Sequence, residues 1–409
     1  MTENFITNIF VENSRNVKEL NIPLSKEIRQ HLIFTGKNGS GKTSLLLELN
    51  KFLTQIDNGN FQHIEGQKQF LNDQKILLLN SNLTVDQKLS TERQIKNLRQ
   101  WFSNFGGTKI DFSGNQQTIY EKCQNGEFLL AFFDSKRHTY LNIPQGINKI
   151  NLQKKYGLDE KANSNFIQYI VNLKADRSFA RDDNEQDIVE KIDNWFEKFE
   201  VRLQQIFDVE SLKLHFDRKS YNFEIITEKN EPFNFNNLSD GYSAIISIVT
   251  ELLLRMEAHE VKSYDLEGIV VIDEIETHLH VDLQKKILPF LIDFFPKIQF
   301  IVTTHSPFVL SSLSNATICD LETKTITTDL SSYSYDALLE SYFNTDKYSQ
   351  EIKNKISEFE KLISIKDRTD EQDEQVRFLR NYFAHAPKYL SKELLVKLQQ
   401  IELNELNNK

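Results

Sequence analysis

Cysteine, long apolar runs and excess positive charge are all scarce in this chain of 409 residues. Its two cysteines, Cys123 and Cys319, lie far apart, and the N-terminus lacks the pattern of a signal peptide, so we expect a reducing, cytoplasmic setting. No apolar run approaches the roughly 20 residues that cross a bilayer, and no membrane span is expected. The net charge of −10 disfavours a protein that coats duplex DNA, but leaves room for a local nucleic-acid contact.

Apolar and aromatic residues, by contrast, are plentiful. Hydrophobic residues make up 39% of the chain and include 30 Phe, which excludes the disordered and fibrous classes. At roughly 100 to 200 residues per domain, the length predicts a main domain with an accessory lobe.

The most specific motif lies near the start, where residues 36–43 read GKNGSGKT between an apolar run and a helix-like run. Its glycines let successive backbone N–H groups point at phosphates, and the following helix adds its positive N-terminal dipole. Lys42 is suited to neutralise the β and γ phosphates, and Thr43 to hold Mg²⁺. The predicted nucleotide-binding residues are Gly36, Asn38, Gly39, Ser40, Gly41, Lys42, Thr43 and Ser44.

Two further apolar runs end in chemistry-bearing residues. The run 268–272 is followed by Asp273 and Glu274, and the run 300–303 is followed by His305 after one intervening residue. Parallel strands deliver such residues to one edge of a sheet, where ligands bind. Asp273 is suited to hold Mg²⁺ together with Thr43, Glu274 to orient the attacking water, and His305 to sense the same phosphate.

A helix start at 238–243, LSDGYS, lies about 30 residues before the acidic pair. Alone, Ser239 and Gly241 could belong to an ordinary helix cap, since Ser and Asp are favoured there. Their position between the phosphate loop and the acidic strand favours a second half of the nucleotide site.

In this order the motifs resemble the ATP-binding-cassette class of ATPases. The resemblance is to its soluble branch, which contains structural-maintenance-of-chromosomes heads, double-strand-break-repair ATPases and the overcoming-lysogenization-defect family. The run 273–280, DEIETHLH, with THSP at 304–307, also looks like the compact ATPases of bacterial anti-phage systems, particularly Septu and some retron operons. The matching segments are 36–43, 238–242, 269–274 and 303–307.

The resemblance implies an α/β fold, an ABC-type P-loop ATPase head with a helical insertion and a helical C-terminal extension. It implies ATP and Mg²⁺ as cofactors, with Glu274 and His305 catalytic in hydrolysis to ADP and phosphate. It also implies a head-to-tail homodimer or higher even oligomer, in which Ser239 and Gly241 reach the γ-phosphate held by the other subunit. A separately encoded nuclease, such as an HNH endonuclease, is the implied partner, and regulation of that effector in anti-phage defence is the implied role.

The chain also departs from the family pattern. Asp240 stands where many transport members have Gly, and Tyr242 replaces Gln, which disfavours a transporter. No long coiled-coil arm or hook cysteine pair is present, which argues against chromosome bridging. For the family's Q-loop glutamine, the candidates are Gln67, Gln69 and Gln74.

Along the chain we predict an N-terminal half of the ATPase core (1–83), a mostly helical insertion with a core strand near 128–133 (84–208), a C-terminal half of the core (209–330) and a helical extension (331–409). Locally, a strand is predicted at 75–79, a loop after Gly107 up to about 125, and a hairpin at 212–226 that returns the chain to the core.

Three weaker patterns have competing readings. Glu276, His278 and His280 could form a metal cluster, although the resemblance places them where two subunits meet. Arg137 could reach a phosphate or DNA, although a solvated strand end is favoured. Basic residues between Lys174 and Arg181 could contact nucleic acid, although the acidic pair that follows weakens this reading.

Two alternative functions remain open. Arg380 and His385 resemble the R-N-x-x-x-H motif of HEPN-type ribonucleases, in which Arg stabilises a phosphorane and His transfers a proton, so the C-terminal lobe could be an ATPase-gated ribonuclease. A solvated helix end is the structural alternative for these residues. The second alternative is a DNA-repair ATPase, whose hydrolysis of ATP would be stimulated by DNA ends.

Overall fold

The structure is a computed structural model of the whole chain. It describes residues 3–79, 83–137, 140–228, 231–257, 265–333, 335–338, 350–365, 368–385 and 403. The chain divides into two compact units, Met1–Tyr333 and Ser334–Lys409, close to the predicted start of the C-terminal extension at 331.

Strands are interspersed with helices through the first unit, whereas the described residues of the second unit form helices alone. In chain order the strands are β1 (Ile6–Ser14), β2 (Val17–Pro23), β3 (His31–Thr35), β4 (Thr108–Phe112), β5 (Phe128–Phe133), β6 (Lys213–Asp217), β7 (Asn222–Ile226), β8 (Phe233–Asn234), β9 (Glu267–Ile272), β10 (Ile298–Thr303), β11 (Ala316–Asp320) and β12 (Thr325–Thr328). The helices are α1 (Lys42–Asp57), α2 (Ile64–Leu78), α3 (Val85–Ser103), α4 (Gln116–Asn125), α5 (Phe166–Asp182), α6 (Gln186–Phe207), α7 (Asp240–Glu257), α8 (Val281–Phe294), α9 (Pro307–Leu310), α10 (Tyr335–Ala337), α11 (Gln350–Ile363) and α12 (Asp370–Ala384).

The central sheet positions the site. Its six strands run in the order β12-β11-β3-β10-β9-β5, and every neighbouring pair except β11 with β12 is parallel. Strands β3, β10 and β11 are buried at every residue, as expected for apolar, β-branched runs covered on both faces. The α/β class is therefore confirmed, and the carboxyl ends of β3, β10, β9 and β5 meet at one edge.

A second sheet, of order β2-β1-β4, is antiparallel and shares the main core. Ile9 of β1, Leu45 of α1, Ile110 of β4 and Leu130 of β5 belong to one buried cluster. The first part of the predicted insertion therefore packs with the core, because β4 pairs with β1 and α4 contacts α1.

The helical part of the insertion is formed by α5 and α6. Phe166, Trp195 and Phe199 are buried in it, with the rings of Trp195 and Phe199 stacked at 5.3 Å. Helix α7 ties this lobe to the core through Glu251, whose carboxylate accepts the backbone N–H groups of residues 162 and 163 and pairs with Arg255 at 2.8 Å.

Some local predictions are wrong. Residues 75–79 are not a strand, since α2 runs to Leu78 and residue 79 is its C-cap. The run has only four consecutive apolar residues, after Lys75, and so short a run fits a strand or a helix. The predicted loop up to 125 contains β4, whose Thr108 and Ile110 alternate inward, and α4, capped by the Asn115 side chain and ended by Gly126.

The hairpin at 212–226 forms as β6 and β7, which pair antiparallel. It does not extend the central sheet, however. It belongs to a separate three-stranded sheet of order β6-β7-β8. Phe223 of β7 stacks on Phe196 of α6 at 5.9 Å, so the hairpin packs on the helical lobe.

The second unit contains two amphipathic helices that pack together. Its core comprises Ile356, Phe359 and Ile363 of α11 with Val376, Leu379 and Phe383 of α12. Thr369 caps α12 in a capping box with Gln372. None of the helices described is both long and apolar enough to span a bilayer.

Candidate functional site

The phosphate loop connects β3 to α1. Gly36, Gly39 and Gly41 have φ angles of 132°, 84° and 104°, in the region that favours glycine. At Gly36 a Cβ atom would lie 2.9 Å from Ser40 Oγ, so a side chain at this position would clash with Ser40 inside the loop. The loop is thus curled as the motif predicted, and α1 begins at Lys42 with Gly41 as its N-cap.

Lys42 closes back onto its own loop. Its Nζ donates to the carbonyls of Gly36 at 2.8 Å and Lys37 at 3.2 Å. Burial lowers the pKa of Lys42, and nearby carboxylates, Glu274 first among them, oppose that shift. Among the residues described, the buried Ser40 hydroxyl has no hydrogen-bond partner. The loop therefore offers two groups that can bind a phosphate: the Lys42 ammonium, which its own carbonyls hold in place, and the Ser40 hydroxyl.

Thr43 and Asp273 are brought together by the sheet edge. The Thr43 hydroxyl donates to Asp273 Oδ2 at 2.9 Å, and Asp273 Oδ1 accepts the Thr303 hydroxyl at 2.6 Å. Asp273 is 3% exposed. Because Mg²⁺ prefers hard oxygen ligands, this hydroxyl and carboxylate fit the ion that the sequence predicted there.

Glu274 has an unusual backbone conformation. Its φ angle is 45°, which costs a non-glycine residue about 1–3 kcal/mol and persists only where the surroundings hold it. Its N–H donates to Thr303 Oγ1 at 2.7 Å, and its Oε2 accepts the Thr277 hydroxyl at 3.3 Å. The side chain is partly exposed, so the carboxylate stands at the surface of the edge that carries Lys42 and Asp273.

His305 follows β10 at the same edge. Its backbone N–H donates to Glu276 Oε1 at 2.5 Å. Glu276 Oε2 is buried without a hydrogen-bond partner in the described part of the chain, and burial raises the pKa of this carboxyl group. Glu276 therefore supports the backbone of His305.

The possible metal cluster of Glu276, His278 and His280 is not formed. In the described ranges, no group of three or more His, Cys, Asp or Glu could hold a metal ion.

The charge state of His305 can be tested. Burial, followed by the Lys42 ammonium, lowers the pKa of His305 below 6.5, and we expect a neutral imidazole at pH 7. Lys42→Ala removes a nearby cation, so the pKa of His305 should rise in that variant. NMR titration of the ring protons, assigned with His305→Gln, measures both values. A pKa that stays the same or falls in Lys42→Ala would contradict the predicted proximity of the two side chains.

The signature segment lies at the start of α7. Ser239 is exposed just before the helix, and its carbonyl accepts the N–H of Ser243. Gly241 is buried: a Cβ there would lie 2.8 Å from the carbonyl oxygen of His278. Tyr242 stacks on Phe207 at 4.3 Å. The segment therefore packs on the loop that follows the acidic pair in the same chain.

Arg137 does not occupy a solvated strand end, and the favoured prediction is wrong. It is 4% exposed, and its guanidinium donates to backbone carbonyls beyond β5 and β9. Sequence reasoning missed this role because a charged residue after a strand gives no indication of a partner more than 100 positions away.

The Q-loop candidates Gln67, Gln69 and Gln74 lie along α2, which packs against α3.

The predicted nucleic-acid segment is a face of α5. Lys174 lies over the Phe196 ring at 3.8 Å, and Arg177 pairs with Asp193. Phe179 is 57% exposed. Two of the basic side chains thus have partners within the lobe, and the nucleic-acid contact stays a prediction.

The ribonuclease candidates lie on the second unit. Arg380 is exposed on α12, and His385 is its exposed C-cap, with Nδ1 2.9 Å from the carbonyl oxygen of Asn381. The pair thus occupies the helix end that the structural alternative predicted. A catalytic role for it stays a hypothesis.

Comparison with known proteins agrees with the motifs. Residues 32–311 match the family described as "AAA domain, putative AbiEii toxin, Type IV TA system". Septu protein PtuA of Bacillus mycoides is 26% identical over 327 residues, which are 78% of this chain and 40% of that protein. The chain therefore spans less than half of that relative. The probable ATPase of retron Vc95 from Vibrio cholerae is 25% identical over 355 residues, covering 70% of this chain and 68% of the relative.

Among solved structures, the SMC head domain from Thermotoga maritima covers 76% of this chain and 94% of its own, with 12% identity and a TM-score of 0.34. The fold class rests on the sheet order and the phosphate loop. The sequence matches confirm the resemblance to ATPases of Septu and retron systems.

Proposed function

The chain belongs to the AAA-domain family described as putative AbiEii toxin of type IV TA systems, and we propose that it is an ATP-driven switch that hydrolyses ATP to ADP and phosphate. The observation that carries this proposal is the contact between the Thr43 hydroxyl and the Asp273 carboxylate. It joins the phosphate loop to the acidic strand, and Glu274 and His305 follow at the same edge.

Each residue at this edge has a distinct task. Lys42 leaves the carbonyls of its own loop and turns its ammonium group to the β and γ phosphates. The Ser40 hydroxyl and the N-terminus of α1 supply further donors. Mg²⁺, held by Thr43 and Asp273, would neutralise phosphate charge.

Glu274 accepts a hydrogen bond from the attacking water and orients it. A neutral His305, held by Glu276 through its backbone, donates one hydrogen bond to the terminal phosphate and reports its presence. Loss of that phosphate after hydrolysis removes the contact.

ATP binding closes a head-to-tail dimer in this proposal. Ser239 and Gly241 of one subunit then reach the γ-phosphate held by the other. The exposure of Ser239 supports this arrangement, as does the packing of Gly241 on the loop after the acidic strand. Since the signature and that loop are in contact, a change at the acidic pair can be passed to the segment that faces the partner.

The dimer cycle regulates an effector in this proposal. The relatives are a Septu protein and a retron ATPase, which supports a role in anti-phage defence. We assign the effector to a separately encoded nuclease, such as an HNH endonuclease. Hydrolysis would reopen the dimer and reset the effector.

The test is a mass measurement of the purified chain with and without ATP and Mg²⁺, after co-purification from its native operon. Glu274→Gln should retain ATP and accumulate as a dimer or larger even assembly, whereas the wild type should show less of it. Lys42→Ala, which lacks the phosphate-binding ammonium, is the control and should not respond. A Glu274→Gln chain that stays monomeric with ATP would contradict the switch.

A further inference from the structure

Arg137 is a buried cation that contacts Asp273 and Glu274, the acidic pair after β9, and it has no role in the phosphate site described above. Its Nη1 donates to the carbonyls of Asp134 at 2.8 Å and Asp273 at 2.6 Å, and its Nη2 donates to the carbonyl of Glu274 at 2.7 Å. These carbonyls follow the last residues of β5 and β9, where the strand ladder ends. Arg137 therefore continues the connection between the two strands beyond their backbone pairing.

The hydrogen bonds from Arg137 to the carbonyls of Asp273 and Glu274 flank the Cα atom of Glu274. The carbonyl of Asp273 belongs to the peptide group before the Glu274 Cα atom, and the carbonyl of Glu274 to the peptide group after it. Holding both peptide planes fixes the φ and ψ angles between them. Glu274 has a φ of 45°, which needs such support from its surroundings.

From this geometry we propose that Arg137 is a positioning residue for Glu274. It acts through the two flanking carbonyls and holds the Glu274 carboxylate where it can orient water. This inference rests on the proposed ATPase function and adds to it a residue that does not contact nucleotide. A planar guanidinium suits the task because its N–H groups form a rigid fork, which an ammonium group lacks.

The surroundings of Arg137 allow a chemical test. A cavity of about 280 Å³ lies beside it, lined also by Phe133, Asp134, Lys161 and Asn163. Arg137 Nε is buried with no hydrogen-bond partner among the described residues. The space left by Arg137→Ala would adjoin this cavity, so a small guanidinium ion could enter and replace the lost donors.

The experiment measures kcat and KM for ATP in the wild type, Arg137→Ala and Arg137→Lys. We expect kcat to fall about 10- to 100-fold in Arg137→Ala with KM nearly unchanged, because a misplaced catalytic group loses rate rather than binding. Methylguanidinium at millimolar concentration should restore part of kcat in Arg137→Ala. Arg137→Lys, which keeps the buried charge, should fold and show the same split in a milder form.

Arg202→Ala is the matched control, since Arg202 is a guanidinium paired with the exposed Asp293. It should keep wild-type kcat and not respond to methylguanidinium. The second control places Arg137→Ala in a Glu274→Gln background, where it should have no further effect on residual hydrolysis, because both changes remove the same contribution.

Three results would overturn the inference. One is an unchanged kcat in both Arg137 variants, which leaves the ATPase proposal intact. Another is a full additional loss in the Glu274→Gln background, which would show that Arg137 acts elsewhere. The last is a wild-type chain that does not hydrolyse ATP, which removes the proposed function and this inference with it.

Discussion

Glu274→Gln is expected to reduce ATP hydrolysis by about 10²–10⁴-fold, the usual contribution of a positioned general base, while ATP binding is retained. The substitution keeps the shape of the side chain, and an amide oxygen can still accept the Thr277 hydroxyl. It removes the carboxylate that orients water and accepts its proton. Phosphate release under saturating ATP, with bound nucleotide measured in parallel, gives both quantities.

Glu322→Gln is the matched control for that change. Glu322 is paired with Lys37 at 2.7 Å on the outer side of the phosphate loop, and both side chains are exposed. Solvent screens exposed ion pairs, which therefore contribute little, so hydrolysis should stay near the wild-type rate. If Glu274→Gln hydrolysed ATP as fast as Glu322→Gln, the water-orienting role would have to be assigned to another group.

The phosphate loop could be predicted from sequence because its conformation is local. The glycines at 36, 39 and 41 fall where the φ angles are positive, and the following helix begins at Lys42, as the motif requires. The contact between Thr43 and Asp273 joins residues 230 positions apart. It was still predictable, because parallel strands place their carboxyl ends at one edge.

Arg137 and the segment 75–79 could not be predicted in this way. The contacts of Arg137 are with backbone carbonyls, which every residue has, so no residue type in the sequence marks them. At 75–79 a short apolar run fits a strand or a helix equally well, and the helix is decided by its continuity with residues 64–74 and its packing on α3.

A mixture of two inactive variants is expected to regain activity if the nucleotide site is shared between subunits. Lys42→Ala disables the phosphate loop, and Ser239→Arg places a bulky cation in the signature segment. Ser239 is exposed, so the isolated subunit tolerates this change, whereas any side chain at Gly241 would press on the backbone of the loop after the acidic strand. In a mixed dimer, one site combines the intact phosphate loop of one subunit with the intact signature of the other.

Each mixed dimer has one intact site of two, whereas neither variant forms an intact site with itself, so the mixture should regain up to about half of wild-type hydrolysis. Lys42→Ala mixed with the double variant Lys42→Ala/Ser239→Arg is the control and should stay inactive, because no intact phosphate loop is present. If Ser239 served the nucleotide of its own subunit, neither combination would recover. Recovery in the first mixture alone therefore distinguishes a composite site from a site completed within one chain.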